Sequence, residues 1–553
     1  MLVRLLSGHA RAFQRSAIVF AIIAAVALAG CAVGQPARAL RIATASTSHT
    51  LCSGLFVSGR DPAQTYLEEM RPEPGMGLID WGLRYRVDRE RREVTATFAG
   101  AFDARAVYRD GFGCLVVHGD LPADAAPSTE PESALLHDFA RAEPVSAQDK
   151  RIRAAVDDAF VEPGPQPSRY TKAVVVVHRG RVIAERYAPG VGVDTPLHGH
   201  SVSKSVANAL VGILARQGKL SPSGAAPVAV WHARADDPRA HVTIDQLLRM
   251  SSGLPWDETW GGFDAATRMW FVEHDMARFA EQGELESVPG TRWNYSNRGY
   301  ILVSRAVRDA VGGRAADVVA FARRELFAPA GMRHAVIEFD ATGTPLLSSH
   351  VYASARDWAR FGLLYLHDGI ADGRRILPEG WVRATTTPTL DTGYGAGFWL
   401  NNTDTPNAMS EHWGMLGAPA DTFFGRGYLG QFVVVVPSRQ LVVVRLGVTH
   451  RRGGDVASVG RLVERIVQAL EAQAKSPSKV TAKDPSKFHL ETEAQLTCLP
   501  TARVGPLRPL KACRRLERPK DVGPILSQCV PRSLNSVPFA QCCRLHPNLF
   551  RLM

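Results

Sequence analysis

A serine and a lysine three positions apart give this sequence its clearest chemical signal. Ser201-Val202-Ser203-Lys204 has this spacing, and the apolar residues that follow it at helical intervals predict that Ser201 begins a buried helix. Because three residues make nearly one helical turn, the Lys204 amine can reach the Ser201 hydroxyl. Burial lowers the proton affinity of an amine. The pair therefore predicts a serine nucleophile and a lysine that accepts its proton.

The spacing alone is a weak signal, because a chain of this length contains about one such pair by chance. Ser476-Pro477-Ser478-Lys479 is a second copy, and it lies in a Pro- and Ser-rich segment without helical periodicity. The first copy differs because it lies at a predicted helix start, and that helix is expected to end near Gln217-Gly218.

A tyrosine much later in the chain is the third candidate for the chemistry. Tyr295-Ser296-Asn297 follows a predicted turn at Pro289-Gly290. A tyrosine near a cationic lysine loses its proton more readily than an isolated one, whose pKa is about 10. We expect Tyr295 to act as a base toward Ser201 and as an acid toward the leaving group. The alternative is a core tyrosine next to a helix cap.

Valine-rich segments at both ends of the central region predict the sheet that must position these residues. They run from Lys172 to His178, from Arg181 to Arg186, from Gln431 to Val436 and from Gln440 to Leu446. We expect these four strands to form one sheet with a well-buried face, so that the two ends of the domain pair with each other. A helix from Val456 to Leu470 has one apolar face and is expected to pack on the sheet.

The three motifs together resemble one enzyme family. Ser201-x-x-Lys204, Tyr295-Ser296-Asn297 and Gly425-Arg426-Gly427 have the order and approximate separations found in class C β-lactamases, their esterase relatives and the 6-aminohexanoate-dimer hydrolases. The resemblance covers about residues 170–471 and is closer to the nylon-oligomer hydrolases. It implies an α+β fold of the β-lactamase/transpeptidase type, with an antiparallel sheet flanked by helices and an inserted helical subdomain.

The third motif departs from the β-lactamase pattern. Gly425 occupies the position of the lysine in Lys-Thr-Gly, and this weakens an assignment to β-lactam substrates. The resemblance implies that the backbone N–H groups of Ser201 and Tyr428 form the oxyanion hole. The candidate substrate-binding residues are Asn297, Arg426, Gly427, Trp256, His412 and Trp413. For Arg426 the alternative is a solvated strand-end arginine, and for the aromatic residues it is simple packing.

Two histidines flank the candidate nucleophile without forming a predicted site. His198 and His200 are two residues apart, so they do not share a helical face, and no third metal ligand is near them in sequence. We therefore expect neither a Ser-His-Asp triad nor a metal site, and the proposed chemistry requires no cofactor.

The amino terminus predicts export. Three arginines within the first 15 residues precede an apolar stretch from Ala17 to Gly30. The stretch ends in Leu28-Ala29-Gly30-Cys31, which resembles a bacterial lipobox with Cys31 as the lipidated residue. The alternatives are cleavage after Ala37-Arg38-Ala39 and an uncleaved membrane anchor. Each alternative places the rest of the chain outside the cytoplasm, in the periplasm or as a membrane-anchored lipoprotein.

The cysteines and the composition shifts predict the domain organisation. Cys52 and Cys114 could form one disulfide in an oxidising compartment. We expect a signal segment at 1–31, a small β-containing module at 44–120, a linker at 121–168, the hydrolase domain at 169–475 and a disordered basic tail at 476–553.

The composition predicts a globular protein without a nucleic-acid partner. Hydrophobic residues make up 45% and charged residues 22% of the 553 residues, which excludes a mostly disordered chain. The net charge is +11, but most of the excess lies after Ser476, and no nucleic-acid-binding motif accompanies it. We expect membrane contact only through the amino terminus.

The sequence therefore predicts an exported serine hydrolase that cleaves a small-molecule amide or ester through Ser201. One alternative is a D-alanyl peptidase or β-lactamase. A second is a non-catalytic penicillin-binding-like lipoprotein, which the presence of Ser201, Lys204 and Tyr295 together disfavours.

Overall fold

The computed structural model describes residues 36–122, 143–164, 168–259, 262–401, 414–450 and 456–475. These residues belong to one compact unit that extends to Pro477. The predicted signal segment at 1–31, Cys31 and the predicted tail at 476–553 lie outside the described residues.

The amino-terminal region combines helices with a four-stranded sheet. Its helices are α1 (Pro36–Cys52), α2 (Pro62–Thr65) and α3 (Met76–Ile79), and its strands are β1 (Leu83–Asp88), β2 (Glu93–Phe98), β3 (Ala101–Arg109) and β4 (Gly113–Val116). The strands form an antiparallel sheet in sequential order. Residues Val94 and Ala96 alternate toward the buried face of β2, and α1 packs on this sheet.

A helix lies where the sequence predicted part of a linker. Helix α4 (Lys150–Asp158) buries Ile152, Ala155 and Val156, and these residues join the main hydrophobic core. The linker prediction at 121–168 is therefore wrong for this segment, and the catalytic region begins before residue 169. The surrounding Pro- and Ala-rich composition concealed the helical spacing of its three apolar residues.

A six-stranded antiparallel sheet forms the centre of the catalytic region. After β5 (Thr171–His178), β6 (Arg181–Tyr187) and β7 (Leu197–His198) come the helices α5 (Ser203–Arg216), α6 (Ala229–His232), α7 (Ile244–Leu248), α8 (Ala265–Phe271), α9 (Met276–Ala280), α10 (Asn297–Val311) and α11 (Ala315–Ala322). They are followed by β8 (Val336–Ile337), β9 (Val351–Ala353), α12 (Ala355–Leu366), β10 (Ile370–Ala371), β11 (Arg374–Arg375) and α13 (Trp381–Thr385). The last elements are β12 (Trp399–Leu400), β13 (Phe423–Gly427), β14 (Gln431–Val436), β15 (Leu441–Gly447) and α14 (Val456–Lys475).

The strand order of this sheet is β12-β13-β14-β15-β5-β6. The valine-rich strands from the two ends of the region, β5 and β15, are direct neighbours, with Val444 opposite Val175. Helix α12 packs closely on the sheet, because a side chain at Gly362 would approach Val442 Cγ1 to 2.6 Å. Helix α14 buries Val459, Leu462 and Ile466 on one face, as its spacing predicted.

The arrangement confirms the predicted α+β class. The helices α6 to α11 lie between α5 and β8 in the chain. The loop before α8 contains Trp256, and the segment before α10 contains Tyr295. Within the described residues, no helix combines the length and the apolar character that crossing a bilayer requires.

Candidate active site

Ser201 lies in a tight turn that leads directly into α5. The turn, His200–Val202, is a short 3₁₀ helix, and the α-helix begins at Ser203. Lys204 lies in the first turn of α5, and its Nζ is 2.9 Å from Ser201 Oγ. The spacing in sequence therefore produces the expected contact between amine and hydroxyl.

Two carbonyl oxygens from distant parts of the chain hold the Lys204 amine. Nζ donates to Asn297 Oδ1 and to the backbone oxygen of Ser348, each at 2.6 Å. Both oxygens can only accept a hydrogen bond. If the amine is neutral, its two hydrogens satisfy these oxygens and its lone pair remains for the Ser201 hydroxyl. The geometry thus suits a lysine that takes a proton from Ser201.

Burial supplies the electrostatic condition for this neutral amine. The Lys204 side chain is 1% exposed, and desolvation lowers its pKa to about 7, although the nearby Glu258 carboxylate opposes this shift. A fraction of Lys204 is therefore uncharged near neutral pH, in the direction that the sequence predicted for a buried lysine.

Tyr295 completes a cluster with the serine and the lysine. Its ring centroid lies 5.0 Å from Lys204 Nζ, and the ring stacks on Trp399 at 5.9 Å. Burial raises the pKa of Tyr295 well above 10, the Glu258 charge raises it further, and a hydrogen bond with Ser201 opposes the rise.

The direction of the Tyr295 pKa shift corrects one expectation from the sequence. A cationic Lys204 was expected to lower this pKa, but desolvation dominates and raises it. The desolvation that keeps part of Lys204 uncharged also keeps the phenol protonated. Tyr295 therefore suits the role of a hydrogen-bond donor and proton carrier better than that of a base that is deprotonated in the resting enzyme.

The glycine-rich end of β13 lies against the Ser201 turn. A side chain at Gly427 would come within 2.2 Å of the Gly199 oxygen and 3.0 Å of His200 Cβ. Only glycine permits this approach. It brings the backbone of Tyr428, the first residue after β13, close to the turn that carries Ser201, as an oxyanion hole between these two residues requires.

Two of the other predicted substrate-binding residues, Asn297 and Arg426, lie at the site, and two lie outside the described residues. Asn297 is buried and contacts Lys204 through Oδ1. The Arg426 guanidinium lies 5.8 Å from the Trp399 ring centroid, and its charge opposes the rise in the pKa of Tyr295. His412 and Trp413 lie outside the described residues.

Trp256 is buried and contacts the segment that carries Tyr295. Its backbone oxygen accepts a hydrogen bond from Asn294 Nδ2 at 3.2 Å, and Asn294 immediately precedes Tyr295. This contact ties the loop between α7 and α8 to the segment that carries the tyrosine.

Glu258 is a titratable residue of the site that the sequence did not predict. It lies two residues after Trp256, and its charge acts on both Lys204 and Tyr295. Burial raises the pKa of Glu258 to about 7, while Lys204 and the Trp256 indole lower it. No motif includes this residue, so only its position beside the aromatic Trp256 could have drawn attention to it.

The two histidines that flank Ser201 are partly buried and pack against aromatic rings, His198 against Tyr352 and His200 against Tyr428. His198 and His200 stack at 3.7 Å, and His198 Nε2 lies 2.8 Å from the Ser349 backbone oxygen. Burial lowers the pKa of His198 to about 4 and that of His200 well below 6.5. Neutral, stacked rings of this kind suit packing rather than proton transfer at neutral pH.

One buried group has the composition of a metal site. His49, Glu338 and His350 bring three possible ligand atoms within 4.8 Å of one another. His49 Nε2 lies 3.0 Å from Glu338 Oε2, and Glu338 Oε1 accepts from Ser53 Oγ and from the Cys114 backbone N–H at 2.7 and 2.9 Å. Oε1 is thus hydrogen-bonded, whereas Oε2 faces His49 without a hydrogen bond that meets the geometric criteria. The contacts of Glu338 join the amino-terminal region to the catalytic region.

The amino-terminal region also contacts the predicted oxyanion segment. Cys52 and Cys114 form a disulfide that links the end of α1 to β4. The Tyr428 hydroxyl donates to Glu73, with an O–O distance of 2.9 Å to Oε2, and Lys172 in β5 forms a 2.6 Å ion pair with Glu68. The residues predicted as a separate module thus support the catalytic region directly.

Comparisons with known proteins agree with this architecture. The family profile described as Beta-lactamase matches residues 152–467. The chain is 26% identical, over 50% of its length and 72% of the relative's, to the 6-aminohexanoate-dimer hydrolase of Paenarthrobacter ureafaciens. It is also similar to two solved structures.

The first of these structures is a penicillin-binding protein homologue from Caulobacter crescentus, with 20% identity, a TM-score of 0.45 and coverage of 59% of this chain and 100% of that one. The second is a family VIII carboxylesterase, with 15% identity, a TM-score of 0.43 and coverage of 59% and 99%.

Proposed function

Because this chain belongs to the beta-lactamase family, we propose that it is an exported serine hydrolase that cleaves an amide or ester bond through an acyl-enzyme on Ser201. The observation that carries the proposal is the environment of Lys204. Its Nζ faces two oxygens that can only accept and one hydroxyl 2.9 Å away, and burial lowers its pKa to about 7.

Acylation begins with transfer of the Ser201 proton to neutral Lys204. The Ser201 oxygen forms a bond to the substrate carbonyl carbon, and the backbone N–H groups of Ser201 and Tyr428 stabilise the resulting oxyanion. The bond to the leaving nitrogen or oxygen then breaks. Tyr295 donates its proton to the leaving group and recovers one from Lys204, so no proton is gained or lost.

Deacylation reverses these roles with water as the nucleophile. Lys204, neutral again after the first step, accepts a proton from water through Tyr295, and the water oxygen attacks the acyl carbon. The Ser201 oxygen leaves and takes up the proton. All the groups in this cycle are protein groups, and the carbonyl oxygens of Asn297 and Ser348 keep the amine oriented throughout.

The chemistry and the relatives support an amide or an ester as the substrate. A 6-aminohexanoate-dimer hydrolase and a family VIII carboxylesterase are both among the similar proteins, and Ser201 chemistry serves a linear amide or an ester equally. Gly425 stands where β-lactamases carry a lysine, which argues against β-lactams as the substrate.

Export is part of the proposal because of the amino-terminal sequence and the cysteines. A charged and then apolar segment precedes Cys31, and the Cys52–Cys114 disulfide is typical of an oxidising compartment. Labelling of cells with a palmitate analogue tests Cys31 directly. Loss of label in Cys31→Ala, together with retention in Cys52→Ala, is the expected result, whereas an unlabelled wild-type protein would remove the lipoprotein assignment.

The hydrolase proposal is tested with a fluorophosphonate probe and a p-nitrophenyl ester. Wild-type protein should be labelled and should release p-nitrophenol continuously, and Ser201→Ala should lose both properties. The exposed Ser223 provides a matched control, because Ser223→Ala should retain both. Full residual activity in Ser201→Ala would exclude the nucleophile, and stoichiometric acylation without turnover would instead support a non-catalytic binding protein.

A further inference from the structure

Three buried side chains with metal-binding groups meet where the amino-terminal region contacts the catalytic region. They are His49 in the last turn of α1, Glu338 directly after β8 and His350 directly before β9. Their exposed fractions are 5%, 0% and 6%, and one ligand atom of each lies within 4.8 Å of the other two. The mechanism proposed above makes no use of them.

The Glu338 carboxylate uses only one of its oxygens for hydrogen bonds to the described residues. Oε1 accepts from the Ser53 hydroxyl and from the Cys114 backbone N–H. Oε2 is buried and accepts no hydrogen bond from this part of the chain, although it faces His49 Nε2 at 3.0 Å. A buried charged oxygen without a hydrogen bond carries the cost of its lost hydration. A cation between this oxygen and the imidazole nitrogens removes that cost.

The separations of the ligand atoms suit a zinc ion. Zn²⁺ binds histidine nitrogen and carboxylate oxygen at about 2.0–2.2 Å, so two ligand atoms at a tetrahedral angle lie about 3.3–3.5 Å apart. The 3.0 Å between His49 Nε2 and Glu338 Oε2 is close to this value. The other separations are at most 4.8 Å, and side-chain movements of about 1 Å bring them to the tetrahedral distance.

Hydrogen bonds that orient metal ligands are already present around this group. Metal-binding histidines and carboxylates are generally held by hydrogen bonds from atoms that do not bind the metal. The Ser349 hydroxyl contacts Nδ1 of His350 and engages one of its two ring nitrogens. Ser53 and Cys114 hold Glu338 through Oε1 in the same way.

An open cavity beside α1 gives the three residues access to solvent. His49 and His350 both line it, together with mainly apolar side chains. A metal ion can enter from this side, and a water molecule can take the fourth position that three protein ligands leave open. His198 also lines the cavity, but its Nε2 already lies 2.8 Å from the Ser349 backbone oxygen, so we do not count it as a ligand.

We propose that His49, Glu338 and His350 bind one Zn²⁺ ion, with water as the fourth ligand. Two imidazoles and one carboxylate are a ligand set that zinc accepts, whereas Mg²⁺ and Ca²⁺ prefer oxygen ligands. The ion joins α1 to the segment between β8 and β9, which also supplies the backbone oxygen that accepts from Lys204. The inference is independent of the proposed function, because the zinc site does not require a nucleophilic serine.

A buried ion pair is the alternative explanation of the same contacts. If His49 is protonated, it forms a salt bridge with Glu338, and His350 has no part in it. This alternative predicts that the protein binds no zinc and that a chelator leaves its melting temperature unchanged. A bound metal predicts a melting temperature that depends on zinc, because a ligand that binds only the folded state stabilises it.

The experiment measures zinc content and thermal denaturation of the untagged full-length protein. Reductant is left out, so that Cys52 and Cys114 remain joined and cannot bind metal as thiolates. The protein is depleted with a chelator and then titrated with Zn²⁺, and Mg²⁺ serves as the control ion. We expect one zinc per chain, a lower melting temperature after depletion, and recovery with Zn²⁺ but not with Mg²⁺.

Two variants assign the metal to this group. His350→Gln removes one ligand and leaves the contact between the other two residues in place. His334→Gln is the matched control, because His334 also faces a carboxylate, that of Asp194 at 3.2 Å, but lies outside the group. We expect His350→Gln to bind zinc at least about 100-fold more weakly, since even the hydrogen-bond partners of metal ligands contribute about 10- to 100-fold. His334→Gln should bind it as the wild type does.

Cobalt provides a test in wild-type protein that needs no variant. Co²⁺ held by nitrogen and oxygen ligands in a tetrahedral site should give visible absorption bands without a sulfur-to-cobalt charge-transfer band. A charge-transfer band would assign the metal to cysteines and overturn the inference. Wild-type protein that binds no zinc, or a His350→Gln protein that binds it as tightly as the wild type, would also overturn it.

Discussion

Lys204 Nζ lies 2.6 Å from Asn297 Oδ1, although 93 residues separate the two in sequence. This contact joins the first turn of α5 to the first residue of α10. It orients one N–H of the amine and helps to leave the nitrogen lone pair of Lys204 directed at the Ser201 hydroxyl. The contact gives Asn297 a second role besides any contact with substrate, because it orients the base.

Replacement of Asn297 tests this orienting role. In Asn297→Asp a carboxylate takes the place of a neutral oxygen next to Lys204, and an adjacent negative charge raises the pKa of a lysine. Lys204 then remains protonated to higher pH. We expect kcat/KM for an ester to fall at pH 7 and the acidic limb of its pH profile to move to higher pH. A profile that keeps its position would contradict the role of Asn297.

The pH dependence of the wild-type enzyme follows from the pKa of Lys204. The base must be neutral, and burial lowers this pKa to about 7, so kcat/KM should rise with pH through about 7. The Glu258 charge holds the pKa of Lys204 up, and its removal in Glu258→Gln should therefore move the acidic limb to lower pH. Ester hydrolysis measured between pH 5 and 9 checks both signs, and Glu379→Gln, at an exposed position, should leave the limb in place.

A methyl group at Gly427 should damage catalysis more than folding. Its carbon would lie 2.2 Å from the Gly199 oxygen, so β13 must move away from the Ser201 turn and carry the Tyr428 backbone with it. Loss of one oxyanion donor typically reduces kcat by about 100- to 1,000-fold, and we expect a decrease of this order in Gly427→Ala.

Gly77 provides the control for this substitution, because a side chain there meets no atom within 4 Å. Gly77→Ala should retain the wild-type kcat. Steady-state kinetics with a p-nitrophenyl ester measures both variants, and an unimpaired Gly427→Ala enzyme would exclude Tyr428 from the oxyanion hole.

The disulfide should contribute strongly to stability. Cys52 and Cys114 are separated by 62 residues, and closure of a loop of this size stabilises the folded state by roughly 4 kcal/mol in the chain-entropy account. The double variant Cys52→Ala with Cys114→Ala should melt at a markedly lower temperature than wild-type protein. Dithiothreitol should lower the melting temperature of the wild type and leave that of the double variant unchanged, so equal melting curves with and without reductant would argue against the bond.

The sequence by itself determined the features that depend on the spacing of residues along the chain. Three residues make nearly one helical turn wherever a helix forms, so the distance between Ser201 and Lys204 was predictable before any fold was known. The valine-rich strands were equally predictable, because a strand buried on both faces is a continuous apolar run. Strands β5 and β15 are neighbours, as their positions at the two ends of the region indicated.

The predicted boundaries were less accurate for a physical reason. The apolar positions of α4 are few and lie among polar and charged residues, so composition alone assigned the segment to a linker. The sequence predicted the amino-terminal region as a module separate from the catalytic region. The contacts between the two regions, such as His49–Glu338, join residues almost 300 positions apart. No local pattern records a contact at that distance.

Tertiary structure alone decided the electrostatics of the site. The Lys204 pKa could be anticipated in direction, but the Tyr295 pKa could not, because its sign depends on whether desolvation or a neighbouring cation dominates. Glu258 belongs to no motif and became relevant only when the chain brought it beside Lys204 and Tyr295. Spacing along one helix is a property of the local chain, whereas burial and the approach of distant charges are properties of the folded whole.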